Sequence, residues 1–209
     1  FITKWQASGG AERANAQPFL NELCDVLEVE RPHPATRHQA DNAYCFEKAI
    51  HNARTGTTNF IDLYKRGHFV LECKQGVEAT FTSPATPPLS SEGKAALKQR
   101  KAGHGTRGTK GFDTALMKAH AQAEGYARAL PKEEIAAHGG RPPFVLVVDV
   151  GHSISLYTDW TRMGGNYLPF PDPRSYRIPL KDLLRPEVRD TLRAIWTDPL
   201  SLDPGRRSA

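Results

Sequence analysis

The run Asn59-Phe60-Ile61-Asp62-Leu63-Tyr64-Lys65-Arg66-Gly67-His68-Phe69-Val70-Leu71-Glu72-Cys73-Lys74 limits what this chain can fold into more than any other segment. Two apolar, strand-like stretches flank Lys65-Arg66-Gly67, a tight turn. The pattern predicts strands over Thr57 to Tyr64 and His68 to Lys74. Side chains alternate faces along a strand, so Glu72 and Lys74 point one way and Cys73 the other. A hairpin closed at Gly67 brings Asp62 beside that pair. Each charge is set among apolar residues, where burying it is costly without a purpose.

Two carboxylates and an ammonium at a sheet edge suit a divalent cation. Mg²⁺ takes oxygen ligands and keeps several waters. Asp62 and Glu72 would bind it together with the backbone carbonyl of Cys73. Lys74 would position a water or help deprotonate it, and would stabilise negative charge building on a phosphodiester. The plainer alternative is a surface hairpin with solvated charges, because a bare D…ExK spacing is a weak signal.

The remaining elements place this hairpin in a layered fold. Phe19, Leu20, Leu23, Val26 and Leu27 recur at helical spacing and predict a helix over Gln17 to Leu27. Arg31 to Asp41 is loop-like. Tyr44 to Ile50 fits a strand or a short helix. A helix is expected from about Asp113 to Leu130, ended by Pro131. Phe144 to Val150 has the composition of a buried strand and leads through Gly151-His152 into another, Ser153 to Thr158. Arg177 to Leu180 is a candidate edge strand, and Arg185 to Trp196 a closing helix. Helix, strands, acidic hairpin, helix and buried strand together predict an α/β fold, a mixed sheet flanked by helices.

Composition narrows the class. Hydrophobic residues make up 39% of the 209, enough for a core, yet no apolar run approaches the ~18 residues of a membrane helix. Cys24, Cys45 and Cys73 form no CxxC pair, so neither a disulfide framework nor a zinc ribbon is expected, and a reducing cytoplasm fits. A net charge of +5 is compatible with nucleic acid without requiring it. The opening Phe1-Ile2-Thr3-Lys4-Trp5 is not a signal peptide and lacks an initiator Met. The chain reads as an excerpt from a longer protein.

Several other residues are candidates beside the hairpin. Gln122 and Tyr126 lie four apart and share one helix face, where they would brace the lysine or touch DNA. Taken alone they read as a surface Gln and a half-buried Tyr. Glu22 on the first helix would supply a further ligand through water, or would be a solvated residue. The stretch near 82–110 is Pro-rich and then basic, and reads as an insertion. Its Lys98, Arg100, Lys101, Arg107 and Lys110 suit contact with a phosphate backbone; a solvated linker fits as well. Gly103-His104-Gly105-Thr106-Arg107-Gly108 matches GxGxxG literally, but no buried strand precedes it and no βαβ unit surrounds it, which excludes a dinucleotide site.

Asp62-x9-Glu72-x-Lys74 resembles the PD-(D/E)xK nuclease superfamily, and Gln122-x3-Tyr126 resembles the helix motif of its RecB-like branch. Four stretches are similar to the N-terminal region of MmeI-like (Type IIL) enzymes: FITKWQASGGAERAN from Phe1, IDLYKRGHFVLECKQG from Ile61, FVLVVDVGHSISLY from Phe144 and WTDPLSLDP from Trp196. This resemblance implies a restriction-endonuclease-like αβββαβ core. It implies a nuclease-like domain over 1–158 and a C-terminal extension over 159–209, leading to a connector. It casts Asp62 and Glu72 as Mg²⁺ ligands and Lys74 as the catalytic lysine. In the family an N6-adenine DNA methyltransferase, which uses S-adenosylmethionine, and a target-recognition domain follow on the same polypeptide. Neither an Asn-Pro-Pro-Tyr/Phe motif nor a glycine loop for S-adenosylmethionine occurs here.

The expected activity is metal-dependent hydrolysis of double-stranded DNA in a restriction-modification or phage-defence protein. No membrane partner is expected, and two copies would pair transiently on DNA. Two alternatives stay open: a catalytically silent DNA-binding or docking module of an adenine methyltransferase, and an exonuclease acting at DNA ends.

Overall fold

A computed structural model describes residues 1–9, 12–52, 56–77 and 105–207. A short helix α1 (Ile2–Gln6) precedes the long helix α2 (Glu12–Leu27). Three antiparallel strands follow: β1 (Tyr44–Asn52), β2 (Thr57–Lys65) and β3 (Phe69–Lys74). Helix α3 (Lys110–Ala129) and the short α4 (Lys132–Ala137) lead to β4 (Phe144–Asp149) and β5 (Ser153–Thr158). Two short strands, β6 (Leu168–Pro169) and β7 (Arg177–Pro179), precede α5 (Pro186–Thr197) and α6 (Pro204–Arg207).

Among the described residues the strands form one seven-stranded mixed sheet in the order β1-β2-β3-β4-β5-β6, with β7 also on β5. Only β3 and β4 run parallel. A parallel pair cannot be closed by a tight turn. Here the connection carries α3, which packs back onto both strands.

The alternation of residues on β4 explains the two-sided core. Phe144, Leu146 and Val148 pack with α2 and α5, whereas Val145 and Val147 pack toward α3. Every residue of β4 is buried, as expected of a strand covered on both faces. On α3 the buried positions are Phe112, Leu116, Ala119, Ala123 and Ala127. Three alanines in that stripe let the helix lie close to the sheet. On α2 the stripe is Phe19, Leu20, Leu23, Cys24 and Leu27, and all three cysteines are buried thiols.

The undecided segment from Tyr44 is a strand. Helix α2 starts five residues earlier than expected and continues through Pro18. The added turn carries Glu12 and Arg13, and this matters below. The residues after Thr158, expected as a C-terminal extension, contribute β6 and β7 to the same sheet and Leu192, Ile195 and Trp196 to the same core. Trp196 is fully buried, lies 4.5 Å from the Phe69 ring and donates from Nε1 to the Tyr44 hydroxyl at 3.0 Å. Truncating such a tryptophan typically costs about 3–5 kcal/mol, so this segment is part of what keeps the hairpin folded. No helix among the described residues is long and apolar enough to cross a membrane.

Candidate active site

The site stands where β2 and β3 part. Their pairing runs from Lys65↔Phe69 to Leu63↔Leu71 and stops. Asp62 is the next residue on β2, and its Oδ2 accepts the N–H of Cys73 at 2.6 Å. A break on the other side of β2 coincides with this fork. The β1–β2 register passes from Phe46↔Leu63 to Lys48↔Ile61 and skips the pair Glu47 and Asp62. Glu47 has φ +53, a left-handed conformation that costs a residue with a Cβ about 1–2 kcal/mol. Ile61 and Leu63, two apart on β2, consequently enter different halves of the core. A regular strand would have placed them on one face.

Glu72 and Lys74 are held from several elements. Glu72 is 1% exposed, and its Oε2 accepts Gln122 Nε2 from α3 at 3.1 Å. The same Gln122 nitrogen lies 2.8 Å from the Tyr126 hydroxyl, so the Q-x-x-x-Y pair does reach the hairpin. The other Glu72 oxygen, Oε1, is buried and has no hydrogen-bond partner among the described residues. Lys74 Nζ donates to the Cys73 carbonyl at 2.7 Å and lies 3.4 Å from Glu12 Oε1 and 4.0 Å from Glu72 Oε2. Glu12 Oε2 also accepts the Gln75 N–H at 3.1 Å, which fixes the end of β3 to the first turn of α2.

The electrostatics follow from this crowding. Burial, and then the Asp62 charge, push the Glu72 carboxyl up to about 8, against the pull of Lys74. Burial also raises Asp62, opposed by the Cys73 N–H and Lys74. For Lys74 burial works against the ammonium, but Glu12, Glu72 and Asp62 together outweigh it and the pKa rises. The surrounding carboxylates therefore favour the ammonium form of Lys74.

The donor set fits a hard divalent cation. Asp62, Glu72 and Glu12 offer carboxylate oxygens, and the Cys73 carbonyl, already facing the Lys74 ammonium, offers another. An unpartnered carboxylate oxygen in the interior costs on the order of 1–3 kcal/mol or more, and a cation would relieve it. Among the described residues no three His, Cys, Asp or Glu side chains close into a ready cage. Mg²⁺ does not require one, since it is commonly held by one or two carboxylates and waters.

Other expected residues fall elsewhere. Glu22 is paired with Lys4 Nζ and accepts Trp5 Nε1 at 2.9 Å, so it braces α1 rather than the site. Arg107 is not presented to solvent as a phosphate contact. Its Nε and Nη2 donate to the two carboxylate oxygens of Asp149, each at 2.8 Å, and Nη2 donates to the Val150 carbonyl at 3.1 Å. Asp149 is 2% exposed and also accepts the Gly76 N–H at 3.1 Å. A buried carboxylate needs such a partner, and that need outweighs what the basic sequence around Arg107 implied. Lys110 is exposed at the start of α3. Lys98, Arg100 and Lys101 lie outside the described residues.

Three residues were not picked out from the sequence. Glu12, Arg13 and Glu47 line, with Gln17, Asp62 and Cys73, a cleft of about 610 Å³ on the α2 side of the hairpin. The available signal for the first two was the stretch from Phe1 to Asn15, which stood out as a block without its acid being singled out.

A protein-family model described as "MmeI, N-terminal domain" matches residues 1–204. No curated protein and no solved structure matches the chain.

Proposed function

The chain belongs to the MmeI N-terminal domain family, and from that premise we propose that it is a metal-dependent DNA endonuclease domain, with Asp62, Glu72 and Lys74 at its centre. The family carries a restriction-modification context. Its reaction would be hydrolysis of DNA phosphodiesters, in a domain normally fused to an N6-adenine methyltransferase. Double-stranded DNA would be the substrate. The observation that carries it is Glu72, buried at 1% exposure, held by Gln122 on one oxygen and, among the described residues, unpartnered on the other, beside Asp62 and Lys74.

Asp62 and Glu72, with the Cys73 carbonyl, would hold Mg²⁺. When bound, the ion supplies Lewis-acid neutralisation of the phosphodiester and activation of water. The chain's own groups do the rest. Gln122 keeps the Glu72 carboxylate oriented, with Tyr126 behind it. Glu12 and the Cys73 carbonyl hold the Lys74 ammonium at the strand end, where it stabilises negative charge on the phosphate during the reaction. Sequence choice would come from other domains, because backbone contacts position a protein on DNA without specifying bases.

The alternative is a catalytically silent DNA-binding or docking module, which needs no metal. Nicking of supercoiled plasmid at high protein concentration separates the readings, run with Mg²⁺, Mn²⁺ or EDTA and beside Asp62→Ala and Lys74→Ala. The nuclease reading expects metal-dependent nicking that both substitutions abolish. Absence of nicking, together with absence of Mn²⁺ binding by calorimetry, would leave the silent module.

A further inference from the structure

The cleft on the α2 side is unbalanced in charge. Glu12, Glu47 and Asp62 face it, and Arg13 is the cation among the residues that line it. A phosphodiester entering this space meets three acids. Glu12 is engaged by Lys74 and the Gln75 N–H, and Asp62 by the Cys73 N–H. The Arg13 side chain, by contrast, makes no hydrogen bond and has no carboxylate within 4.0 Å among the described residues.

That separation matters. An arginine placed to neutralise the acids would lie against one of them, as Arg107 does against Asp149. Arg13 acts on Glu47 only from a distance, through its field. Its guanidinium is exposed, on the added first turn of α2, with Gln17 one turn further along the same wall. The planar fork of arginine matches a phosphate through two parallel N–H donors, a geometry that an ammonium lacks. Gln17 offers a neutral carboxamide donor beside it.

We propose that Arg13, assisted by Gln17, holds a backbone phosphate of the DNA strand in this cleft and so aligns that strand with Asp62 at the strand fork. The assignment rests on the nuclease reading and adds to it the wall along which the strand runs. Arg13 is a substrate-binding residue and is not a metal ligand.

The test measures DNA and metal separately on the 209-residue chain. Binding of a fluorescein-labelled DNA duplex would be followed by anisotropy in Ca²⁺ over a range of salt, for wild type, Arg13→Ala and Arg13→Lys. Mn²⁺ binding would be followed by calorimetry without DNA. Arg13→Ala should weaken DNA binding about tenfold or more, the order expected of one charged hydrogen-bonded contact. It should also make the slope of log K against log salt shallower by about 0.9. Arg13→Lys should keep the slope while recovering only part of the affinity. Mn²⁺ affinity in Arg13→Ala should equal or exceed that of wild type, because a positive charge has been removed from beside the carboxylates. A wild-type slope and affinity in Arg13→Ala would overturn the proposal, and so would a loss of Mn²⁺ affinity in step with DNA affinity. Wild-type chain that binds neither DNA nor Mn²⁺ would overturn the nuclease reading along with it, so the two failures are distinguishable.

Discussion

Gln122 on α3 donates to Glu72 on β3 at 3.1 Å, fifty residues away in sequence, and thereby ties the helix to the acid at the strand fork. The hydrogen bond orients one Glu72 oxygen, while the other has no partner among the described residues. Outer partners of this kind typically contribute about 10–100-fold to metal affinity or activity. Gln122→Ala should therefore weaken Mn²⁺ binding by about that factor in calorimetry while the protein stays folded by circular dichroism. Tyr126→Phe should do less, because Tyr126 acts on Glu72 only through Gln122. Wild-type Mn²⁺ affinity in Gln122→Ala would show that the pair contributes packing alone.

Glu72 also sets a pH dependence. Its folded pKa is about 8, against an ordinary value of 4.5. The folded chain thus keeps a proton that the unfolded chain releases, and the stability linked to Glu72 falls as pH rises from about 4.5 through about 8. At about 1.4 kcal/mol for each pKa unit, the loss is on the order of several kcal/mol. Glu72→Gln removes it. In EDTA the variant should match wild type near pH 5 and melt clearly higher at pH 8.5, an active-site substitution that raises stability. Melting curves whose separation does not widen between those two pH values would refute a buried carboxylate as the cause.

The Arg107–Asp149 pair predicts a different response. Both partners are largely buried, with side-chain exposures of 10% and 2%. Removing one partner of a buried pair usually costs about 3–5 kcal/mol, because the other charge is left uncompensated. Asp149→Ala should fall in that range by urea unfolding. Asp149→Asn should cost less, since its carbonyl still accepts the Gly76 N–H. Were Arg107 chiefly a DNA contact, Arg107→Ala would lower DNA affinity and leave the urea midpoint where it was.

Legibility in the sequence followed the range of the interactions. The hairpin could be read because two-residue alternation and a turn are local, and the structure has β2 and β3 where that pattern put them. The fork itself could not. It depends on the skipped Glu47 and Asp62 pair and on a left-handed Glu47, which no pattern in β1 announces. Gln122 and Tyr126 could be placed on one helix face, but that this face turns toward Glu72 is set by the Ala119, Ala123 and Ala127 stripe docking on the sheet. Arg107 sat in a basic stretch and looked solvated, because its partner Asp149 lies 42 residues on. The tail after Thr158 carries no hint that Trp196 closes the core under Phe69 and Tyr44.

The acid on α2 is the sharpest case, and it yields the last prediction. Glu12 and Glu22 are ten residues apart, which on a helix is about 15 Å of rise and a turn of about 80° away from a shared face. One helix therefore cannot present both to the end of β3. A helix begun at Gln17 carries Glu22 and Asp25 as its acids, whereas the added turn delivers Glu12 to Lys74 at 3.4 Å. Glu12→Ala should then reduce plasmid nicking and Mn²⁺ affinity by about 10–100-fold, and cost about 1 kcal/mol of stability as the Gln75 N–H loses its acceptor. Glu22→Ala should leave nicking and Mn²⁺ affinity at wild-type levels. It should instead cost about 1 kcal/mol of stability, because the Trp5 N–H loses its acceptor and the partly exposed Lys4 pair contributes little. The opposite pattern, nicking lost in Glu22→Ala and kept in Glu12→Ala, would mean that α2 meets the hairpin one face round from where it lies here.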